Sequence, residues 1–481
     1  MLEIEKLRVI FPDRKNFIFK DLSLSIPSGQ KVLIVGPSGS GKSTLLQILA
    51  GLIPSVIEVP LKADRLQVDS NYGMVFQDPD SQFCMPYVDE EIAFVLENRQ
   101  VPSREMKEKI QRILARVDLQ LEDIHTPINQ LSGGMKQRLA IACALALQPD
   151  VLFLDEPTAL LDAEGTKQVW DTIKSIQDEQ TIVIIEHKIE FVSDIVDRVI
   201  MLDDQGELVA DGSPTRVFQD HKQMFDQFGI WHPSSWSDYL VSRTPQHKGN
   251  DRTAHTLIEL DSASGYYHKN REILVDKAVI NKGDWIAITG PNGSGKSTLV
   301  QMIMQLINTK GSIHYFFAEQ NLPIYQKIAF VFQNPELQFV TNSVYQELAF
   351  SLTSKDTDKK AKIKEHLKRY RLEQVNDHHP YQLSVGQKRR LSVATATIKV
   401  DDIIILDEPT FGQDAINTFM MLDCLEELRQ KGITIVMVTH DQQIVDHFAT
   451  KEWKIDQGQL VEEKYHDLFQ SEKVGVSSHA L

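Results

Sequence analysis

Two glycine-rich segments carry the clearest chemistry in this sequence. The first is Gly36, Pro37, Ser38, Gly39, Ser40, Gly41, Lys42, Ser43 and Thr44; the second is Gly290, Pro291, Asn292, Gly293, Ser294, Gly295, Lys296, Ser297 and Thr298. Both fit G-x-x-x-x-G-K-[ST], in which glycines let successive backbone N–H groups converge on phosphate oxygens at a helix N-terminus. Lys42 and Lys296 would neutralise β- and γ-phosphate charge, and the hydroxyls of Ser43 and Ser297 would ligate Mg2+. Glycine turns entering helices are common, so one match would say little. Two matches, each following an apolar run that reads as a strand, say much more.

A second set of residues falls where such a nucleotide needs it. Asp155 and Asp407 close the apolar runs VLFLD and IIILD, which puts a carboxylate at the carboxyl edge of a parallel sheet, where a magnesium nucleotide should sit. The adjacent Glu156 and Glu408 are candidates to orient or deprotonate an attacking water. An acidic pair after a strand also reads as a helix N-cap.

The elements that must position these residues follow from pattern. LSLSI before the first glycine loop and WIAITG running into the second read as strands, so each loop joins a strand to a helix. VLFLD and IIILD are short, continuous and rich in branched apolar residues, as expected of parallel strands buried on both faces. Residues 104–118 and 360–372 carry apolar positions at helical spacing among charges. The fold class is therefore α/β.

The same order of motifs occurs twice. VFQDPDSQF at 75–83 returns as VFQNPELQF at 331–339, LSGGMKQR at 131–138 as LSVGQKRR at 383–390, and FLDEPT at 153–158 as ILDEPT at 405–410. This is a duplicated domain rather than a solenoid repeat. Between the copies the sequence is polar, contains Pro and Gly, and shows no sustained apolar period. We therefore expect one domain over 1–235, a linker over 236–254 and a second domain over 255–481.

Bulk properties agree with two soluble domains. A chain of 481 residues exceeds what one hydrophobic core usually supports, and 42% hydrophobic with 25% charged residues describes ordinary globular protein. There is no apolar run of about 20 residues and the N-terminus lacks a basic leader or apolar signal core, so a cytoplasmic location is expected. Three dispersed cysteines offer neither a disulfide framework nor a zinc cluster. A net charge of -16 argues against non-specific nucleic-acid binding, and no nucleic-acid partner is expected.

The LSGGM and LSVGQ sequences lying just before each DEPT complete a set that resembles the ATP-binding-cassette superfamily over nearly the whole chain. The resemblance implies two P-loop NTPase domains, each a mainly parallel sheet with helices plus an antiparallel β subdomain and a helical subdomain. It implies ATP as the nucleotide, and head-to-tail pairing of the two domains within one chain. Ser132, Gly133 and Gly134 would then cap the nucleotide held by Lys296, and Ser384 and Gly386 the one held by Lys42. It further assigns Gln77 and Gln333 to sensing the γ-phosphate and to the metal site with Ser43, Asp155, Ser297 and Asp407. Asp162 and Asp414 fall in the loop after the acidic strand, and His187 and His440 are switch histidines. Phe11, and Tyr266 or Tyr267, would stack on adenine, with core packing as the other reading.

Two positions depart from the family pattern. Met135 stands where glutamine is usual, and Val385 replaces the first of two usual glycines. A β-branched residue disfavours positive φ, so the site built on Lys42 is expected to be the looser. Every lysine, acidic pair and histidine is present in both halves, so both sites are expected to hydrolyse ATP, at unequal rates.

FQDPDSQFCMPYVDEEIAF and FQNPELQFVTNSVYQELAF have equal length and resemble the energy-coupling-factor ATPases of vitamin and metal-ion importers. VADGSPTRVFQD at 209–220 resembles the tail of the same group's ATPase domain. That resemblance implies a transmembrane subunit whose helices dock beside the Gln segment, a small integral substrate-binding subunit, and a peripheral position on the cytoplasmic membrane face. Asp80, Glu91, Glu336 and Glu347 become candidate partners for arginines on the membrane subunit; a solvated acidic loop is the alternative. A soluble tandem ATPase acting on the ribosome is the main competitor, though such proteins typically carry a long, charged helical linker. A DNA-repair ATPase would bring zinc-binding cysteines, and a tandem sugar-importer ATPase commonly has one degraded site. An exporter stays open, because direction is not written in the catalytic residues.

Overall fold

In this computed structural model the described residues are 1–11, 17–69, 71–159, 161–177, 180–187, 189–243, 255–268, 270–317, 323–352, 358–399 and 402–466. They divide into two compact units, residues 1–240 with 414–416, and residues 241–413 with 417–481.

Unit 1 is organised by a six-stranded sheet in the order Leu208–Gly212, Arg198–Leu202, Lys31–Val35, Thr181–Ile185, Val151–Asp155, Tyr72–Val75. Every neighbouring pair is parallel except the first. The runs VLFLD and TIVII are buried at every position, because alternate side chains enter opposite layers. Leu152 and Leu154 join a core that includes Trp170 and Ile173 from the helix Ala163–Ile176. Val151 and Phe153 join the other, with Leu45 and Leu46 from the helix Lys42–Leu49. A separate antiparallel sheet pairs Leu2–Val9 with Phe19–Ile26, Leu61–Lys62 and Arg65–Gln67.

Unit 2 merges what unit 1 keeps apart. Its nine-stranded sheet runs Asn308–Tyr315, Thr256–Tyr267, Asn270–Asn281, Gln459–Tyr465, Lys451–Asp456, Trp285–Thr289, Thr434–Val438, Ile403–Asp407, Ile328–Val331. The long antiparallel hairpin is stitched to the rest through one parallel register pair, Leu274 with Gln459. The expected antiparallel part is thus present in both units, as its own sheet in one and as a sheet extension in the other.

The helical parts comprise Val88–Asn98, Ser103–Arg116 and Gly133–Ala146 in unit 1, and Val344–Phe350, Lys359–Arg369 and Val385–Thr397 in unit 2. The expected helices over 104–118 and 360–372 stop two or three residues early. Left-handed residues end them, Asp118 with φ 50° and Arg371 with φ 52°, in the manner of an αL cap.

Part of the stretch expected as a linker is ordered: Ser235–Ser242 is a helix. Trp236 is buried there and its ring stacks on Trp231 with centroids 6.2 Å apart, so aromatic burial outweighs the segment's polar composition. The remainder of the expected linker, 244–254, lies outside the described residues.

Candidate active site

Parallel register gathers the chemistry at one sheet edge. In unit 1, Val75 pairs with Leu154, Asp155 with Ile185, and Ile34 with Ile185. Gly36, Glu156, Gln77 and His187 each lie one or two residues past those strands, so they emerge side by side. In unit 2, Val331 pairs with Leu406, Asp407 with Val438, and Ile288 with Val438, which aligns Gly290, Glu408, Gln333 and His440 in the same way.

The glycine loops enter their helices through left-handed residues, Gly41 with φ 93° and Gly295 with φ 104°. A Cβ on Gly41 would also come within 2.6 Å of Ile18 Cγ2 and 2.8 Å of Phe19 Cζ, so the backbone can take this path only without a side chain. Lys42 Nζ donates to the carbonyls of Gly36 and Pro37 at 2.8 and 3.0 Å, and Lys296 Nζ to those of Gly290 and Pro291, both at 2.8 Å. Each ammonium is thereby folded back over its own loop. Burial pulls Lys42 below the ordinary lysine range, opposed by Glu156 and Asp155. A cavity of about 510 Å3 opens here, lined by Ser38, Gly39, Gly41 to Thr44, Glu156, His187, Ile18 and Phe11. Phe11 therefore reaches the space beside the phosphate loop. In unit 2, Tyr266 is faced by Lys310 Nζ at 4.8 Å, while the half-exposed Tyr267 donates its hydroxyl to Gln301.

Glu156 and Glu408 are held by two hands in each unit. Glu156 accepts from Gln77 Nε2 at 2.8 Å and lies 2.9 Å from His187 Nε2. Glu408 accepts from Gln333 Nε2 at 3.3 Å and lies 3.2 Å from His440 Nε2. Burial alone would raise both carboxyls, but the adjacent histidines and the nearby lysines bring them below the usual range. Both glutamates adopt left-handed backbone, φ 49° and 50°. Such strain costs on the order of 1–3 kcal/mol each. Their N–H groups still donate to Ile185 and Val438 across the sheet, which anchors the bend.

The preceding aspartates fit a divalent cation. Ser43 Oγ donates to Asp155 Oδ1 at 3.0 Å. Burial pushes Asp155 up to about 6, with the Ser43 hydrogen bond only partly offsetting it. Burial likewise raises Asp407 against a hydrogen bond from Ser297, and Asp407 Oδ1 is buried with no hydrogen-bond partner. A buried carboxylate short of positive charge beside a hydroxyl is the donor set that Mg2+ favours. Gln77 and Gln333 use their amide nitrogens on the glutamates, which leaves each carbonyl oxygen as the atom a cation could take.

The signature residues open helices. Ser132 caps Gly133–Ala146 by accepting from Met135 N at 3.3 Å, and Ser384 caps Val385–Thr397 by accepting from Gln387 N at 3.3 Å. Val385 is the first residue of its helix and has no positive φ. The expected backbone conflict therefore does not arise: the position is helical, and its side chain is exposed. The other departure does have a structural effect. Gln387 Oε1 accepts from Ser384 N at 2.9 Å and closes a capping box, a return bond that Met135 cannot make. Met135→Gln should add it and stabilise unit 1 by roughly 0.5–1 kcal/mol, visible as a rise of about 1–4 °C in its thermal transition; no rise would mean that the box carries no weight here. Gly134 lies against Gly165, where a Cβ would meet Gly165 Cα at 3.2 Å. Asp162 caps Ala163–Ile176 through Gly165 N at 2.7 Å, and Asp414 directly precedes Ala415–Gln430.

Two of the four acidic residues expected to meet arginines are committed elsewhere. Glu91 is buried and accepts from Cys84 N and Met85 N at 2.9 and 2.7 Å. Glu347 is buried and accepts from Val340 N at 2.7 Å, from Thr341 N, and from Thr341 Oγ1 at 2.9 Å. They brace the loop after the Gln segment from inside, because each sits in the first turn of the next helix with its carboxylate turned back on that loop. Asp80 and Glu336 remain on the surface, paired with Lys136 at 2.7 Å and Lys388 at 2.6 Å. In unit 1 a cavity of about 540 Å3 lies beside Asp80, lined by Phe83, Met85, Pro86, Tyr87, Pro127 and Ile128 among others.

Glu186 was not picked out by sequence. It is buried, accepts from Thr158 Oγ1 at 2.7 Å and from His187 N at 2.8 Å, and so ties the DEPT segment to the histidine backbone. The signal available was the mismatch between the repeats, IIEH against MVTH.

A family model described as "ABC transporter" matches residues 19–159 and 277–411. A Bacillus subtilis protein with the provisional name HMP/thiamine import ATP-binding protein YkoD is 34% identical, over 93% of this chain and 88% of that protein. A Sulfurisphaera tokodaii protein provisionally named an ABC transporter ATP-binding protein is also 34% identical, over 96% of this chain and 97% of its own length. Among solved structures, the complex of archaeal ribosomal stalk protein aP1 with ribosome recycling factor aABCE1 matches with a TM-score of 0.67, at 22% identity over 94% of this chain and 88% of that one. The RNase-L inhibitor matches with a TM-score of 0.66, at 21% identity over 96% and 91%. At that identity the structural likeness speaks for the fold alone.

Proposed function

The chain belongs to the ABC transporter family, and on that premise we propose that it is the ATP-hydrolysing subunit of an energy-coupling-factor importer whose membrane-spanning subunits are separate chains. The observation that carries this is the pairing, in unit 1, of a complete ATPase set with an apolar cavity edged by Asp80 directly after the Gln segment. A helix from a membrane subunit would lie on Phe83, Met85 and Tyr87, and a cation on it would meet Asp80; Glu336 is the corresponding acid in unit 2. The similarity to a protein named for HMP/thiamine import supports a vitamin or vitamin precursor as cargo, with a metal ion as the other class. Among the described residues no helix is long and apolar enough to cross a membrane. A peripheral place on the cytoplasmic membrane face, beside a transmembrane subunit and a small substrate-binding subunit, is part of the proposal.

The catalytic roles proposed are those the geometry supports. Lys42 and Lys296 leave their loop carbonyls to hold β- and γ-phosphate oxygens, while the left-handed glycines keep the backbone close to them. Ser43 with Asp155, and Ser297 with Asp407, would hold Mg2+, which when bound neutralises phosphate charge. Glu156 and Glu408, fixed by Gln and His, orient the water for in-line attack. Ser132, Gly133 and Gly134, and Ser384 and Gly386, would close on the nucleotide held by the opposite unit, so that binding joins the two units and hydrolysis releases them. Fusion keeps unlike halves at one-to-one ratio and high effective concentration.

The test is to purify the tagged chain from gently solubilised membranes of its host and identify what accompanies it. A polytopic membrane subunit with a small integral binding protein is the expected result. Ribosomal subunits without any membrane protein would overturn the importer assignment and move the same ATPase cycle to translation.

A further inference from the structure

The two repeats differ at several buried positions behind the Gln segment; Ser392 and Thr395, which bond the Gln338 side chain, stand where the first repeat has Ala140 and Cys143, and a further difference touches the glutamine itself. In LSGGMKQR the seventh residue is Gln137; in LSVGQKRR it is Arg389. Arg389 is 6% exposed. Its Nη1 donates to the Phe332 carbonyl at 2.9 Å and its Nη2 to the Gln333 carbonyl at 2.6 Å. Gln137 is also buried but offers one neutral donor, Nε2, to the Phe76 carbonyl at 3.4 Å. Two charge-assisted bonds from a planar fork define both distance and orientation, whereas one long neutral bond defines little.

The residue that Arg389 grips is the one that touches Glu408, through Gln333 Nε2 at 3.3 Å. Arg389 itself stands on the helix whose first turn is set by Ser384 and Gln387. One side chain therefore connects the signature helix to the backbone of the glutamine beside the catalytic carboxylate. We propose that Arg389 is a positioning residue that clamps Gln333 and makes the Gln segment of unit 2 a stiff lever, while the looser contact of Gln137 leaves the segment of unit 1 free to yield. The inference rests on the reading of Glu408 as the group that orients water. Its physical basis is the cost of breaking the clamp: a buried guanidinium deprived of its carbonyls has few other acceptors, so the segment and the helix move together or not at all. The unlike halves of the fused chain would then respond differently to the same event at a signature serine.

The test uses the full chain in two ways. Amide hydrogen exchange without nucleotide should show residues 331–338 protected about tenfold more than 75–82, and Arg389→Gln should narrow that difference severalfold, the bonds of Gln338 to Ser392 and Thr395 keeping the remainder. In steady-state ATP hydrolysis the same variant should lower kcat at least about twofold with KM for ATP little changed, as expected when alignment rather than binding is lost. Arg389→Lys, which keeps the charge but can present only a point donor, should recover part of both effects. Should Arg389→Gln fail to fold, Gln137→Arg provides the converse, slowing exchange at 75–82 severalfold. Equal protection of the two segments in the wild-type chain, or a folded Arg389→Gln with unchanged exchange and unchanged kcat, would overturn the clamp. Failure of the Glu408 reading would appear separately, as undiminished turnover when Glu156 and Glu408 are both replaced, with the exchange difference still in place.

Discussion

Replacing Glu156 and Glu408 together by Gln should give a chain that binds ATP at least as tightly as the wild type but turns it over roughly 100- to 1000-fold more slowly. The substitution keeps shape and hydrogen-bonding reach, so contacts with Gln77 and His187, and with Gln333 and His440, can be remade. A glutamine also tolerates the left-handed backbone about as well as a glutamate does. What changes is the charge. Each carboxylate lies close enough to influence its lysine, Lys42 or Lys296, so removing it also removes repulsion against phosphate. Equilibrium binding of a fluorescent nucleotide and release of inorganic phosphate measure the two consequences separately. Undiminished phosphate release would sink the role assigned to the glutamates. The single variants are informative as well: loss of one glutamate should cost unequal amounts in the two halves, because Gln77 and His187 sit closer to Glu156 than Gln333 and His440 sit to Glu408.

Much of this site was legible in the sequence because its parts are local. A glycine loop, a strand-ending Asp-Glu pair and a histidine two residues past an apolar run each declare themselves within about ten residues, and parallel register then aligns them without further instruction. The two-layer burial of VLFLD and IIILD was equally readable, since an uninterrupted branched apolar run has nowhere else to go. What escaped was set by side-chain direction, by local backbone conformation, or by partners distant in the chain. Glu91 and Glu347 looked like surface acids, because residue type alone does not reveal that the carboxylate turns back onto the loop six or seven residues before it. Val385 looked like a strained glycine replacement, because the motif alone does not say that its first glycine position is helical. Glu186 meets Thr158 across the sheet edge, and Arg389 meets the Gln333 backbone from the helix Val385–Thr397; for these the only sequence clue was disagreement between the repeats. The joining of two sheets in unit 2 through Leu274 and Gln459 left no local trace at all.

Removing the inner brace should damage the loop after the Gln segment, proposed above as the docking surface, before it damages the glycine-loop site. In Glu91→Ala, the N–H groups of Cys84 and Met85 lose their acceptor in a partly buried place, at a cost of roughly 2 kcal/mol. That corresponds to a fall of about 4–8 °C in the transition of unit 1. The loop it holds supplies Met85 to the apolar cavity and is flanked there by Phe83 and Pro86, so recovery of membrane subunits with the chain should fall as well. Glu347→Ala removes the acceptor of three donors and should cost unit 2 at least as much. The decisive comparison is with Glu91→Gln and Glu347→Gln, which keep an acceptor oxygen for the loop but abolish the charge. If the carboxylates act as internal braces, the Gln variants should melt within about 2 °C of the wild type and retain their partners. If instead they meet arginines of a membrane subunit, the Gln variants should keep their stability and lose those partners, because a neutral amide cannot replace a carboxylate in a bidentate pair. Thermal unfolding and co-purification on the same four variants thus separate a brace from a contact, and the burial of both side chains places the expected outcome with the brace.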